Sequence, residues 1–412
     1  MIKRFHFLRL IILSIILLVD IFLFFELQAI FNIETAFFSI GFWLIPLTFT
    51  LILLFYSFGK NWKQKYQKKQ RELFSFAGLF ILIYIPKIIF SVFLLFNVVI
   101  DFILVTISSY HYSTEIISYI GIGIATILFI ALLYGIVFGK YHFKVDQVPL
   151  TFKNLPAEWN GLRIVHISDL HIGSWSKKMT HIEKAVQLIN EQQPDLIFFT
   201  GDLVNNLAEE IYDFIPILKN LKASKGKYSI LGNHDYGDYF PWSNTKEKQR
   251  NLQKLKEVHQ EVGFNLLLNE SLFLNGRNSG IGIIGVENWG LPPFHQYGDL
   301  NKAISYLNGQ TKFNILLSHD PSHWREEVLS YDQVDLTLSG HTHGMQFGIY
   351  WNGIRWSPSK LKYPEWGGIY ENGKQKLYVT TGLGFIGFPG RVGIRPKISV
   401  IDLYSSKNPD NN

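Results

Sequence analysis

The chain has 412 residues, is 48% hydrophobic and 16% aromatic, carries a formal net charge of +6 and contains no cysteine. That length allows more than one domain, and the missing thiols exclude a disulfide framework and any thiolate metal site. Residues 1–140 hold eleven Lys/Arg against six Asp/Glu, so the remainder is close to neutral. Without clustered cations there, nucleic acid binding is not expected.

Four apolar runs open the chain, at about 10–31, 36–58, 79–104 and 116–138. Each reaches or approaches the roughly 20 residues that cross a bilayer as helix. An all-α four-helix transmembrane region is therefore expected over 1–140. A signal peptide competes only for the first run, which lacks a small-residue cleavage site. The third run lies in an overlong segment, 74–106, that contains Pro86, Lys87 and Asp101. Cations collect at Lys3, Arg4 and Arg9, in the loop from Lys60 to Arg71, and at Lys140 and Lys144, while the loops "NIET" and "SSYHYSTE" have none. The bias of Lys and Arg toward the inside predicts a multi-pass protein of a bacterial-type inner or cell membrane. Both termini and everything after residue 140 are then cytoplasmic. Asp20, Glu26, Lys87 and Asp101 fall within or near the spans. Pairing inside the bundle or snorkelling explains them without a transport path.

From Tyr141 onward short β-rich runs alternate with helical stretches, which predicts an α/β domain over 141–412. One helix is expected in "THIEKAVQLINEQQ", closed by Pro194. Another is expected in "NTKEKQRNLQKLKEVHQEVG", capped by Asn244 or Thr245 and stopped by Gly263. Five apolar runs end in polar clusters. "RIVHIS" leads to Asp169 and His171, "LIFFT" to Gly201 and Asp202, and "YSIL" to Gly232, Asn233, His234 and Asp235. "FNILL" leads to His319 and Asp320, and "VDLTL" to His341 and His343. Each reads as a buried strand whose carboxyl end carries a ligand-type side chain, and in open α/β sheets sites lie off those ends. In extended backbone, residues two apart point the same way, so Asp169 with His171, and His341 with His343, can each address one centre. Carboxylates, an asparagine and several imidazoles without sulfur suit Mn²⁺, Fe²⁺ or Zn²⁺. The supply exceeds one tetrahedral ion, so two divalent metal ions are expected, Mn²⁺ foremost. His166 reads as a core or supporting residue, His181 and His259 as solvated on helices, and His295 and His323 stay open.

The ordered set D-x-H, GD, GNH[DE], a histidine and GH-x-H resembles the calcineurin-like metallophosphoesterases, over roughly Leu162 to Leu403. "NLPAEWNGLRIVHISDLHIG", "GHTHGMQFG" and "LYVTTGLGFIGFPGRVGIRPKISVIDL" resemble their membrane-linked YaeI/YkuE-like branch. The resemblance implies a four-layer α/β/β/α sandwich. It implies that Asp169, His171, Asp202 and His343 hold one metal. Asp202 would bridge to a second, held with Asn233, His319 and His341, and His234 would be the catalytic imidazole. The branch often has an acid three residues after the bridging aspartate. Here that residue is Asn205, which leaves open what orients His234. The implied reaction is hydrolysis of a phosphate ester or anhydride by metal-activated hydroxide, of phosphodiesterase or pyrophosphatase type. Arg391 and Arg395 are either phosphate contacts or surface ion pairs.

A lipid-linked phosphate is the expected substrate, and UDP-2,3-diacylglucosamine or a phospholipid are examples. The membrane region supplies one reason. The other is "MQFGIYWNGIRWSPSKLKYPEWGGIY", whose Trp351, Trp356 and Trp366 receive acyl chains, lie at the membrane interface, or pack the domain against itself or its membrane helices. The alternative is a membrane sensor or transport module with a regulatory metallophosphoesterase-like domain.

Overall fold

The computed structural model describes residues 2–58, 70–108, 115–176, 179–276, 279–307, 311–351 and 354–406. The cation-rich loop up to Lys69, most of "SSYHYSTE" and the tail after Ser406 lie outside the described residues. The chain divides into two compact units, Met1–Tyr134 and Gly135–Asn412.

The first unit is helical. Helix α1 covers Ile2–Phe31, α2 Ala36–Phe58 and α3 Gln70–Ser108, and α4, Glu115–Val137, begins in it. Helix α3 extends past both ends of the expected 79–104. Gly78 lies inside the extension without ending the helix, no proline falls there, and Glu72 in the first turn complements the helix dipole. Among the described residues, 70–107 and 116–141 are long and apolar enough to cross a membrane, and Ala36–Ile52 is a shorter apolar helix. Where α1 meets α3, the fully buried Asp20 accepts hydrogen bonds from Lys87 Nζ at 2.7 Å and Tyr84 Oη at 3.0 Å. Ile16, Phe49 and Tyr84 pack on one side of this group, and Leu23, Phe90 and Leu94 on the other. Asp20→Ala would leave the ammonium without its counter-ion in apolar surroundings. It is expected to lower the stability of the detergent-solubilised protein by about 3 kcal/mol in thermal unfolding. The double replacement Asp20→Leu with Lys87→Met should recover most of the loss, since neither charge is then stranded. A single variant as stable as the parent would show that the pair does not hold the helices.

The second unit is a sandwich of two six-stranded sheets. The first sheet has the order β1-β14-β2-β3-β4-β5, built from β1 (Lys144–Phe152), β2 (Leu162–Ile167), β3 (Leu196–Phe199), β4 (Gly226–Ser229), β5 (Asn265–Leu266) and β14 (Lys397–Ser405). The second has the order β12-β13-β9-β8-β7-β6. Its members are β6 (Glu270–Leu274), β7 (Ile281–Gly285), β8 (Asn314–Leu317), β9 (Leu336–Ser339), β12 (Gly368–Asn372) and β13 (Gln375–Val379). A separate hairpin joins β10 (Ile349–Trp351) to β11 (Ile354–Trp356).

Alternation along the buried strands builds the layers. Ile164, Leu196 and Phe198 face inward against Ile283, Ile315, Leu317, Leu336 and Leu338 of the other sheet. Their neighbours Val165, Ile197 and Phe199 face outward onto Ile182 and Val186 of helix α5 (Thr180–Glu191) and Leu255 and Val258 of α6 (Thr245–Val262). The outer face of the second sheet is covered around Leu300 and Trp324. Such strands read as unbroken apolar runs because both faces are dry. Helix α6 starts where the Asn244 side chain accepts the Glu247 N–H, and it ends at Gly263 with φ +89°. The second unit also takes in the last turn of α4, because Gly135 O accepts the Arg391 N–H at 3.1 Å.

His259 corrects the sequence expectation. It sits on α6 but is buried, and its Nδ1 meets Ser229 Oγ at 2.9 Å. It occupies an inward position of an amphipathic helix, so burial pushes its pKa down to about 3. His181 is half-buried and stacks on the Tyr141 ring at 3.7 Å.

Candidate metal centre

Strands β2, β3 and β4 of one sheet and β8 and β9 of the other all point their carboxyl ends to the same edge of the sandwich. The segments leaving those ends gather the seven expected ligand side chains. Asp169, His171 and His343 form one group of donor atoms within 4.8 Å of one another, and Asp202, His319 and His341 form a second. Asp202 Oδ2 lies 3.4 Å from His171 Nε2 and 3.3 Å from His319 Nε2, so this one carboxylate reaches both groups. Asn233 Oδ1 joins the second group, 3.1 Å from His319 Nε2 and 2.9 Å from His341 Nδ1.

The backbone route differs from the extended one that the i, i+2 spacing suggested. Asp169, His171, Asp202, His341 and His343 all have positive φ, between +44° and +71°. Left-handed backbone at a non-glycine residue costs about 1 kcal/mol or more. Convergence therefore comes from tight kinks rather than from a pleat. Main-chain bonds fasten them: Asp169 N–H donates to Gly201 O, His171 N–H to Asp202 O and Gly340 N–H to His319 O. Gly340 has to be glycine, because a Cβ there would run into Ser168 and Asp169.

Two of the imidazoles are turned by a partner behind them, whereas the buried His171 Nδ1 has none among the described residues. His319 Nδ1–H donates to Thr200 O at 2.7 Å, which turns Nε2 toward Asp202. His341 Nε2 meets the Tyr363 hydroxyl at 2.8 Å, so Nδ1 is the nitrogen facing Asn233 and His319. Such outer partners set tautomer and ring orientation. Asp169 accepts the His341 N–H, and Asp202 Oδ1 accepts the His234 N–H.

Burial holds His171 down at about 3 and His341 at about 4, and it pushes His343 well below the ordinary range, so these rings are neutral lone-pair donors. Burial raises Asp169 to about 6. Burial opposes charge at Asp202 and His319 too, but each sustains the other: Asp202 is held well below the carboxylate range and His319 up at about 10. Two histidine nitrogens, His171 Nε2 and His343 Nε2, approach to 3.1 Å. Neutral imidazoles and carboxylates aiming lone pairs at common points are a donor set that fits divalent cations.

His319 gives this a pH signature. With a pKa of about 10 in the metal-free protein it carries a proton at pH 7.5, and a cation must displace it. Calorimetric Mn²⁺ loading at that pH, in buffers of different protonation enthalpy, is expected to read about one proton released per protein. Affinity should fall about tenfold per pH unit on acidification, and more steeply below about pH 6, where Asp169 also protonates. Loading with no proton release and no pH dependence would contradict this account.

Comparison with known proteins matches this geometry to a family. Residues 162–345 match the family model described as calcineurin-like phosphoesterase. The chain belongs to the calcineurin-like metallophosphoesterases. Residues 3–140 match a second model, described as the transmembrane domain of probable calcineurin-like phosphoesterases. An uncharacterized metallophosphoesterase of Bacillus subtilis, YkuE, is 32% identical over 256 residues, covering 61% of this chain and 82% of that protein. A second from the same organism, YkoQ, is 28% identical over 292 residues, covering 68% and 97%. A Danio rerio "transmembrane protein with metallophosphoesterase domain" is 29% identical over 280 residues, covering 66% and 59%. This metallophosphoesterase is accordingly a metal-dependent phosphoric ester hydrolase that carries a transmembrane domain.

Around the metallophosphoesterase centre the remaining candidates separate. His234 is half-buried beside His171, with ring centroids 4.9 Å apart. Its Nδ1–H donates to the main-chain carbonyl of Asn205 at 2.8 Å, so a backbone group orients the ring where an acidic side chain was the expectation of the branch. Among the described residues no protein hydrogen bond reaches its Nε2. Arg391 is buried, and its guanidinium donates to the carbonyls of Thr381, Gly382 and Gly384, with Nη2 3.3 Å from His343 Nδ1. It braces the loop behind His343. Arg395 is exposed and donates to the His142 and Phe143 carbonyls, away from the centre. His166 is buried with Nε2 on Thr200 Oγ1, and His323 is buried between Ser318 and Glu327. His295 is exposed. Trp366 is buried with Tyr363 and Ile394 and packs the domain, whereas Trp356 is exposed. The Trp351 side chain is outside the description.

Three supports escaped the sequence reading. Asp235 accepts the N–H groups of Asp202, Leu203 and Gly232, clamping two ligand loops together, and burial raises its pKa to about 7. Glu210 accepts those of Asn205, Asn206 and Leu207. Tyr239 Oη accepts a bond from Asn233 Nδ2 at 2.8 Å. Only Asp235, within "GNHD", carried a sequence signal.

Proposed function

We propose that this metallophosphoesterase hydrolyses a lipid-linked phosphodiester or pyrophosphate with two divalent metal ions, Mn²⁺ foremost. Asp169, His171, Asp202 and His343 hold one ion. Asp202 is shared with the second, held also by Asn233, His319 and His341. The observation that carries this assignment is the reach of Asp202 Oδ2 to both histidine groups. Bound there, the metals supply Lewis acidity, neutralising phosphate charge and lowering the pKa of water. The chain's own contribution is positioning and proton handling. Asp235 and Asp169 hold the loops that present the lone pairs, and burial keeps competing protons off three of the four histidines. His234, locked through Nδ1–H on Asn205 O, would in its imidazolium form present Nε2–H to the leaving oxygen, give it that proton as the P–O bond breaks, and regain one from water afterwards.

A transmembrane domain on the same polypeptide supports a substrate that resides in the bilayer. UDP-2,3-diacylglucosamine and phospholipids are examples. The cation distribution supports four spans over 1–140, with residues 141–412 in the cytoplasm of a bacterial-type cell. The test is the purified full chain in detergent with Mn²⁺, offered bis-p-nitrophenyl phosphate, UDP-2,3-diacylglucosamine and common phospholipids. Turnover of a lipid at a higher kcat/KM than the soluble diester is the expected result. Turnover of the soluble diester with every lipid ignored would remove the lipid-linked reading and keep the hydrolase.

A further inference from the structure

The hairpin β10–β11 is built inside out for a water-facing element. Ile349, Ile354 and Trp356 are 53%, 59% and 48% exposed, and Ile349 pairs directly with Trp356 across the two strands. The alternate positions, Tyr350 and Arg355, are exposed too but make contacts with the domain. Tyr350 lies between the ammonium groups of Lys144 and Lys397, 5.0 and 4.7 Å from its ring, and Arg355 donates to Gly367 O. Leu361, 92% exposed, and Met345, 60% exposed, extend the same apolar character beyond the strands. Exposed lysines 360 and 362 flank Leu361. Exposed apolar side chains accompanied by cations are the composition of an element lying in a membrane interface.

The same unit contains the residues at which an apolar helix ends. Its first residues are the last turn of α4, whose apolar stretch belongs to the transmembrane domain. Gly135 O accepts the Arg391 N–H, and the next residue, Val392, donates to Gln346 O and accepts the Gly348 N–H. Ile349 opens the hairpin one residue later. Two rungs of main-chain hydrogen bonds therefore connect the exit of an apolar helix to the exposed hairpin. We infer that β10–β11 and Leu361 insert into the headgroup layer of the bilayer, Lys360 and Lys362 meeting anionic lipid. His343 precedes the hairpin by six residues, so this seating brings the segment that carries one of the expected metal ligands toward the membrane surface. It deepens the lipid-linked reading above, whose hydrolase part it does not need.

The absence of cysteine makes the test direct. I354C and L361C, with K254C on the exposed side of α6 as control, are each labelled with an environment-sensitive fluorophore in the full-length protein. They are reconstituted in phosphatidylcholine–phosphatidylglycerol liposomes. Nitroxides on the acyl chains should quench positions 354 and 361 several-fold more than position 254, and aqueous iodide should do the reverse. Quenching by iodide at all three positions would overturn the inference. Shielding of 354 and 361 from both quenchers would overturn it too, because it would mean that protein, such as a second copy of the chain, covers the hairpin. Hydrolysis of bis-p-nitrophenyl phosphate by the same samples reports separately on the hydrolase reading and on folding, so failure of one is not mistaken for failure of the other.

Discussion

Replacing Asp202 with alanine is expected to abolish turnover, by on the order of 10³-fold or more, and to strip metal from the protein rather than merely slow it. The side chain does three things at once. Oδ2 reaches both histidine groups, Oδ1 accepts the His234 N–H, and its charge sustains the proton on His319 in the metal-free state. Elemental analysis of the variant should find well under the parental metal content, and His319 should lose its proton below pH 10, since burial alone lowers a histidine. Retention of parental activity by Asp202→Ala would refute a metal-centred hydrolase altogether. Folding is expected to survive, because the core between the sheets is untouched and the left-handed kinks are held by main-chain bonds.

His234→Ala should behave differently: kcat falls by about 10²–10⁴-fold while metal content stays at the parental level. The ring contributes no atom to either donor group. The distinction between the two variants separates a residue that moves a proton from one that holds an ion. Because a carbonyl oxygen of the main chain orients the ring, Asn205→Ala should keep the bulk of kcat, whereas orientation by the side chain at 205 would not tolerate it. Loss of metal in His234→Ala would instead make this imidazole a ligand and overturn the division of labour.

The strand ends and their ligand-type residues were legible because both signals are local. An apolar run such as "LIFF" can be buried on both faces only inside a sandwich, and the polar group after it must sit at the sheet edge. What orients those residues was not legible. The carbonyls of Thr200 and Asn205 have no side-chain signature, and Tyr363 reaches His341 from beyond the last motif. The left-handed backbone at Asp169, His171, Asp202, His341 and His343 was hidden for a different reason: glycine usually marks such turns, and here bulky side chains adopt them. His259 was misread because its helix is mostly polar, and only the register of α6 reveals which ring turns inward. For the hairpin, aromatic content was visible, but which ring is buried and which exposed depends on strand register, so Trp356 and Trp366 part company only in three dimensions.

Strand β1 leaves the membrane helix first, yet within its sheet it has one neighbour, the parallel strand β14. During synthesis it must wait at the membrane surface, with its ladder unmet, until more than two hundred further residues have emerged from the ribosome. A ribosome stalled anywhere before residue 397 would therefore leave an adhesive edge beside the bilayer. The arrival of Lys397–Ser405 is what gives β1 its ladder and joins it through β2 to the rest of the first sheet.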